Sequence, residues 1–317
     1  MQQSRRLNLV KAICIVLMVI GHAEPPTGLV GFIYLFHMPA FFFLSGYLLK
    51  DLYFDQPVVF IKKRLGSLYA PYVFWELVFL MLSWVFFRLH LADSVPTGRE
   101  ALSQAVKFIT FRGHQPLLNG YWFLKTLFFC SIGCLFLLKF VKQGRIWLIP
   151  ALVAAAGLCA LIPYDTTMIS RLLMAAAFYI TGFLAARIKI EAKVPYAVAA
   201  LAIVAVISLF WRGNIFTDGW GVLLYFPVAL LGIYGIFGLA TALDRYDRTA
   251  MALDFIGRAT LTILTFHFLA FRIAALLKPG DWVLNTLFGI AFPLLIYGLY
   301  VRCGHLSGSR STTIKLF

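Results

Sequence analysis

Apolar residues run through this chain in long blocks separated by short polar or charged joints. Ten blocks have the length and character of membrane-crossing helices: residues 7–23, 29–49, 70–91, 121–140, 146–163, 167–187, 195–211, 219–243, 252–276 and 281–302. A helix rising about 1.5 Å per residue needs roughly 20 apolar residues to cross about 30 Å of hydrocarbon. None of the blocks alternates in the period-two manner of a barrel strand, so helices are left to satisfy the backbone within lipid. The pattern predicts an all-α, polytopic transmembrane bundle of about ten helices, forming a single membrane-embedded domain over 1–317. No internal repeat or low-complexity tract interrupts it. The longest polar stretch is 92–120, and within it Ala101 to Phe111 has the pattern of a short amphipathic helix on a membrane surface.

Composition makes the membrane reading firm. Hydrophobic residues are 62% of the chain and charged residues 13%, against roughly 25% charged in a soluble domain. A soluble globule of this size has too little interior for that apolar surface, and a disordered chain would be polar. The net charge of +15 would suggest nucleic acid in a soluble protein, but here the cations occupy the joints, and no nucleic-acid partner is expected. With the N-terminus inside, 17 of the 28 Lys and Arg fall in inner segments and 7 in outer ones, which predicts both termini in the cytoplasm. Ser4-Arg5-Arg6 hints at a twin-arginine signal, but no small-x-small cleavage site follows, so the first block is read as a retained helix. The five cysteines offer no pair in an outer loop, so no structural disulfide is expected. Cys130 and Cys134 lack a nearby histidine or carboxylate, so no metal is expected either.

Eight ionisable side chains fall inside the predicted spans: Lys11, His22, His37, Glu76, Lys125, Arg171, Arg258 and His267. Such groups are costly in lipid and mark function by default. Lys11 and His22 are eleven residues apart, close to three helical turns, so both lie on one face of the first helix, about 16.5 Å apart along its axis. A lysine snorkelling to the inner interface and a histidine capping the outer end is the simpler account of the same pair. His37 stands in Phe36-His37-Met38-Pro39, at a depth similar to His22 on the adjacent helix, and Pro39 should kink that helix. Phe60-Ile61-Lys62-Lys63-Arg64 is a cationic loop on the inner face, either plain positive-inside topology or a phosphate clamp. Asn119 to Lys125 opens a span at the outer interface, with Tyr121 and Trp122 either in an aromatic belt or forming a platform for a sugar ring. Glu76 and Arg171 are candidates for positioning groups around the site. His267 reads as a core histidine, and His90, His114 and His305 give no signal.

Several stretches, in order, resemble the acyltransferase 3 family of integral membrane acyltransferases, in its fucose 4-O-acetylase-like branch. They are Leu9-Val10-Lys11 through Gly21-His22, the run from Tyr34 to Tyr47, Lys63-Arg64 followed by Pro71-Tyr72, Tyr121 to Leu124, Phe178 to Phe183, and Phe266-His267. The block from His22 to Tyr47 is the specific part. The resemblance implies an O-acyltransferase of about ten helices in a bacterial inner membrane, moving an acetyl group from acetyl-CoA to a hydroxyl of a cell-envelope or exported glycan or lipid-linked saccharide. The family's arginine-x10-histidine motif maps onto Lys11 and His22, and its arginine-rich inner motif onto Lys63, Arg64 and Ser67. Lysine keeps the charge but not the bidentate fork.

On this reading Lys11, Lys63 and Arg64 hold the donor's phosphates, and the narrow pantetheine arm threads between the first two helices towards His22 and His37. His22 is the expected general base, its reference pKa of about 6.5 suiting proton transfer near neutrality, with an acyl-histidine as the other route. His37 is expected to orient the reacting groups or donate to the developing oxyanion. Glu76, Arg171, Tyr121 and Trp122 are the expected substrate-binding residues. A polytopic transporter or flippase of a glycan or lipid-linked substrate is the principal rival, since it too needs buried charge, although no paired halves with matching broken helices are visible. A scaffold without activity fits least.

Overall fold

The structure, a computed structural model, describes residues 2–159, 162, 166–188, 192–217 and 221–306. Among the described residues the secondary structure is all helical. The order begins α1 (Gln2–His22), α2 (Thr27–Tyr34), α3 (His37–Tyr47), α4 (Leu52–Asp55), α5 (Pro57–Arg64), α6 (Ala70–Met81), α7 (Ser83–Arg88) and α8 (Gly98–Ile109). It continues α9 (Trp122–Phe140), α10 (Leu148–Leu158), α11 (Thr167–Ile188), α12 (Val194–Phe210), α13 (Gly221–Leu243), α14 (Asp247–Arg258), α15 (Thr260–Leu277) and α16 (Trp282–Leu306). Among the described residues, six stretches are long and apolar enough to cross a membrane: Thr27–Tyr47, Pro116–Phe140, Thr167–Ile188, Gly221–Leu243, Thr260–Leu277 and Trp282–Cys303. Two shorter apolar helices, Arg145–Leu158 and Val194–Phe210, fall where the sequence places spans. Of the expected inner cations, Lys189, Arg310 and Lys315 lie outside the described residues, as do 160, 161 and 163 of the block 146–163.

Three predicted elements are redrawn. The block 70–91 is two helices, α6 and α7, meeting at Leu82. The block 252–276 crosses a break at Ala259: α14 is an amphipathic helix and only α15 has the character of a span. Arg258, taken as a charge within a span, ends α14 with a side chain 62% exposed and paired to Asp254 at 2.6 Å. The cationic loop 60–64 is the C-terminal half of α5, running through a π-helical turn (Leu65–Tyr69) into α6. The polar stretch 92–120 does hold a helix, α8. A capping box starts it, with the Thr97 N–H donating to Glu100 Oε2 at 2.7 Å. That bond holds the Glu100 carboxyl below the usual carboxylate range.

The chain forms two compact units. The first comprises residues 1–60 and 129–258. In it α3 and α11 pack through reciprocal glycines: Gly46 lies against the Tyr179 backbone and Gly182 against the Phe43 backbone, each where a Cβ would overlap a carbonyl. In lipid, helix association depends on such close backbone approach. The N-terminal end of α1 is pinned by polar contacts: Arg5 Nε and Arg6 Nε both donate to buried Asp244, at 2.7 and 3.1 Å, and Asn8 Nδ2 donates to Asp254 at 2.8 Å. Arg145 donates to the carbonyls of Val141 and Leu138 at the end of α9, while its guanidinium rests on Phe54 and Phe183.

The second unit comprises residues 61–128 and 259–317. In it α15 is the central span and α16 the peripheral one, their windows being 56% and 11% buried. Phe266 on α15 packs edge-on to Trp75 of α6, ring centroids 4.9 Å apart. The loop after α7 is tied to α15 by a two-pronged ion pair, with Arg272 nitrogens 2.7 and 3.3 Å from the two Asp93 oxygens.

The glycine seam yields a direct expectation. Gly46→Ala should lower the thermal stability of the detergent-solubilised protein by on the order of 1–3 kcal/mol, although alanine is the better helix former. Gly133→Ala on α9, where nothing lies within 4 Å, should not lower the melt.

Candidate active site

The most compact cluster of candidate groups forms where α1 ends and the second span breaks. Pro39 has no N–H for the Leu35 carbonyl, and the chain leaves the helix at Phe36 (φ −143°, ψ −21°) before α3 restarts at His37. The kink expected from Pro39 is thus a full break. His37 is 3% exposed, and its Nδ1 lies 2.8 Å from the Ile33 carbonyl, which also accepts the Phe36 N–H at 3.3 Å. A carbonyl cannot donate, so the neutral ring that makes this bond carries its proton on Nδ1 and its lone pair on Nε2. This changes one expectation: as a neutral ring in this tautomer, His37 has no proton on Nε2 to donate to an oxyanion.

Tyr34 bridges the two histidines. Its ring lies 5.2 Å from that of His37 and meets the His22 ring edge-on at 6.5 Å. Its hydroxyl donates to the Gly21 carbonyl at 3.1 Å. Gly21 permits the approach, since a Cβ there would lie 2.6 Å from the Tyr34 ring. The sequence offered no separate signal for Tyr34 beyond its place one turn before His37. At the other half of α1, Lys11 is half-buried, as is His22, and the helix between them is unbroken. Eleven residues of regular helix put the two on one face, about 16.5 Å apart. Arg171, also in the first unit, sits in the first turns of α11 with its guanidinium 3.9 Å from the centre of the Phe216 ring.

The remaining candidates belong to the second unit. Lys63 is exposed and Arg64 half-buried at the end of α5. Glu76 is fully buried. Its Oε2 accepts the Gln115 N–H at 2.7 Å, and its Oε1 is a buried oxygen with no hydrogen-bond partner. Tyr121 corrects its expected role. It is 0% exposed, and its hydroxyl is 2.7 Å from Thr265 Oγ1. Thr265 in turn donates to the Leu261 carbonyl at 2.8 Å, so Tyr121 is the donor to Thr265. A ring enclosed in this way, tilted against Tyr72 at 5.8 Å, offers no open face for a sugar to stack upon. The neighbouring Trp122 is only half-buried. His267 is a fully buried core histidine with Nδ1 3.0 Å from the Ile263 and Leu264 carbonyls. In the loop before Pro116, His114 Nε2 lies 3.0 Å from Asn119 Oδ1, and burial lowers its proton affinity below that of ordinary imidazole.

The arrangement therefore separates into an imidazole–phenol–imidazole cluster with a cation farther down the same helix, and a buried carboxylate that fixes the backbone at Gln115. The first can move a proton to or from a hydroxyl, and the lysine can meet an anion. The model of the acyltransferase 3 family, described as an acyltransferase domain, matches residues 4–301. No curated protein and no solved structure matches the chain.

The corrected place of Tyr121 is open to measurement. Tyr121→Phe should lower stability by about 1 kcal/mol through loss of the Thr265 bond and leave the acceptor KM unchanged. Thermal melts and steady-state kinetics on the purified variant check both halves.

Proposed function

We propose, for a chain that belongs to the acyltransferase 3 family and is an acyltransferase, that it moves an acetyl group from acetyl-CoA to a hydroxyl of a cell-envelope or exported glycan, with His22 as general base. The observation that carries the reading is the convergence of His22 and His37 on Tyr34, at the end of a helix whose other half bears Lys11 on the same face. The fucose 4-O-acetylase-like branch, the bacterial inner membrane and cytoplasmic termini are parts of the same proposal.

The donor enters from the cytoplasmic side. Lys11, Lys63 and Arg64 supply positive charge for its phosphates. The spacing of Lys11 and His22 along α1 is comparable to the reach of a pantetheine arm. A thioester brought to His22 then meets the acceptor hydroxyl. The His22 imidazole takes the hydroxyl proton as the oxygen attacks the thioester carbonyl, and a tetrahedral oxyanion forms. Collapse expels the thiolate of coenzyme A, which takes the proton from the imidazolium. The products are the acetyl ester and the free thiol, and His22 returns to its neutral form. His37, with its lone pair on Nε2, accepts a hydrogen bond from a water or from a neighbouring hydroxyl of the acceptor and so orients the reacting groups. Trp122, Glu76 and Arg171 are the residues proposed to serve the acceptor. No metal enters the reaction.

Membrane vesicles supplied with radiolabelled acetyl-CoA and a glycan acceptor test the base. His22→Ala, inserted normally, should lose about 10²–10⁴-fold in transfer, and transfer at the wild-type rate would exclude it. Arg64→Ala should raise the KM for acetyl-CoA more than that for the acceptor. An unchanged donor KM removes Arg64 from the phosphate site.

A further inference from the structure

The second unit contains a cavity of about 360 Å³ that none of the residues singled out above lines, apart from the ion pair of Asp93 and Arg272 and the wall residues Glu100 and Gln115. It is enclosed by α6, α7, α8, the loop between α7 and α8, the turn before α9, and Arg272 of α15. Its polar side is formed by Asp93, Glu100, Gln104, Gln115 and Arg272 with the hydroxyls of Ser83 and Ser94, and Phe79 and Phe86 stand among its apolar residues. We infer that this cavity is a binding site for a single uncharged sugar residue, one that anchors the glycan and is not itself the residue acylated, since none of His22, Tyr34 and His37 lines the cavity; the inference rests on the acyl-transfer reading for the word glycan, but not for the sugar.

The charge of the lining argues against an anionic ligand. Two carboxylates face one guanidinium, and that guanidinium is already held by Asp93 at 2.7 Å. Glu100 is kept ionised by the Thr97 N–H. What remains for a ligand is the amide chemistry of Gln104 and Gln115 and the hydroxyls of Ser83 and Ser94. Gln104 and Gln115 each carry donors and acceptors, which suits hydroxyl groups that do both. The two amides are pre-set: Gln115 Nε2 donates to Gln104 Oε1 at 3.3 Å, and the Gln115 N–H is anchored on buried Glu76. This gives Glu76 a positioning role, since its carboxylate holds the backbone of a wall residue. Phe79 and Phe86, both buried, close the cavity with an apolar wall beside those amides. The volume lies at the low end of small-molecule sites, about 300–1,000 Å³, room for a sugar residue but not for an extended chain or a lipid tail.

The wall also has the correct second face. On α8, Glu100 and Gln104 are one turn apart and line the cavity, while Leu102, Val106 and Ile109 are exposed on the opposite side, with 69%, 52% and 48% of their surfaces open. An exposed apolar stripe on a capped amphipathic helix seeks the lipid interface. A cavity roofed by that helix therefore sits at headgroup level, where the terminal residue of a membrane-attached saccharide is presented. The cation asymmetry of the sequence puts this stretch on the outer side.

The test uses the full-length protein in detergent without donor and a panel of neutral methyl hexopyranosides, read by saturation-transfer NMR, with a hexose 6-phosphate as the anionic comparison. At least one neutral glycoside should bind, more strongly than the phosphate. Gln104→Ala should weaken it at least 10-fold, and Ala92→Trp, which fills the cavity from its loop, should abolish it. In transfer assays Gln104→Ala should raise the acceptor KM and leave the donor KM unchanged. Absence of any glycoside signal, preference for the phosphate, or full binding by both variants overturns the site. His22→Ala should still bind the glycoside. If glycoside binding depends on Gln104 while no acetyl transfer is found in the wild type, the sugar site stands and the acyl-transfer reading falls.

Discussion

A backbone carbonyl that loses its helical partner inside a membrane must find another donor, and in the second span of this chain the donor is an imidazole. The chain leaves the helix at Leu35 and Phe36, just ahead of Pro39, which has no N–H for the Leu35 carbonyl; the Ile33 carbonyl is left with the Phe36 N–H at 3.3 Å, and Nδ1 of His37 donates to it at 2.8 Å. Three properties of His37 follow from that one bond. Its ring is fixed in orientation, its tautomer is set, and its lone pair is left on Nε2. The repair of a broken helix thus produces a histidine prepared to accept a proton or a hydrogen bond. Tyr34, one turn before, carries the consequence to α1, because its hydroxyl rests on the Gly21 carbonyl next to His22.

The position of that histidine depends in turn on packing that lipid cannot drive. Hydrocarbon surrounds the helices on all sides, so burying leucine against leucine gains little, and small residues and polar pairs decide how helices meet. The reciprocal contacts of Gly46 and Gly182 hold α3 against α11 with backbone touching backbone. Because α3 begins at His37, its register on α11 fixes where the imidazole stands. At the far end of α1, Asp244 and Asp254 bind Arg5, Arg6 and Asn8. The helix bearing Lys11 and His22 is therefore held by polar contacts at one end and by Tyr34 at the other.

Much of this was legible in the sequence because it is local. Block length and hydropathy mark the long spans, and Pro39 announces a distortion near His37. The capped helix in 92–120 shows in its own periodicity. What was not legible depends on partners far along the chain. Tyr121 looks like a belt aromatic until Thr265, 144 residues away, accepts its hydroxyl. Arg258 looks like a charge in a span because apolar residues continue on both sides of Ala259. The break there goes with α14 packing on α1, where Asn8 meets Asp254 across 246 positions. No window of hydropathy contains that contact. The run Lys62 to Arg64 reads as a loop from its charge, yet the helix that carries it continues through a π turn into α6.

Ionisable and hydroxyl groups in a membrane span carry equal weight when read from sequence, and the folded chain ranks them by what their hydrogen-bonding capacity is already committed to. Tyr121 donates to Thr265 and Thr265 to Leu261, a chain of bonds that closes on the backbone and serves the fold. Arg258 escapes the problem by leaving the span. Glu76 is different in kind: one oxygen fixes Gln115, and the other is buried with no partner, an arrangement that stability alone does not favour. His37 likewise uses one nitrogen for the backbone and keeps a lone pair on the second. Groups that mend or brace the fold with one atom while holding another in reserve are the ones through which a membrane-embedded helical protein can act on a substrate. His37 at the break after α2 and the carboxylate behind Gln115 meet that criterion, and Tyr121, whose hydroxyl is spent on Thr265, does not.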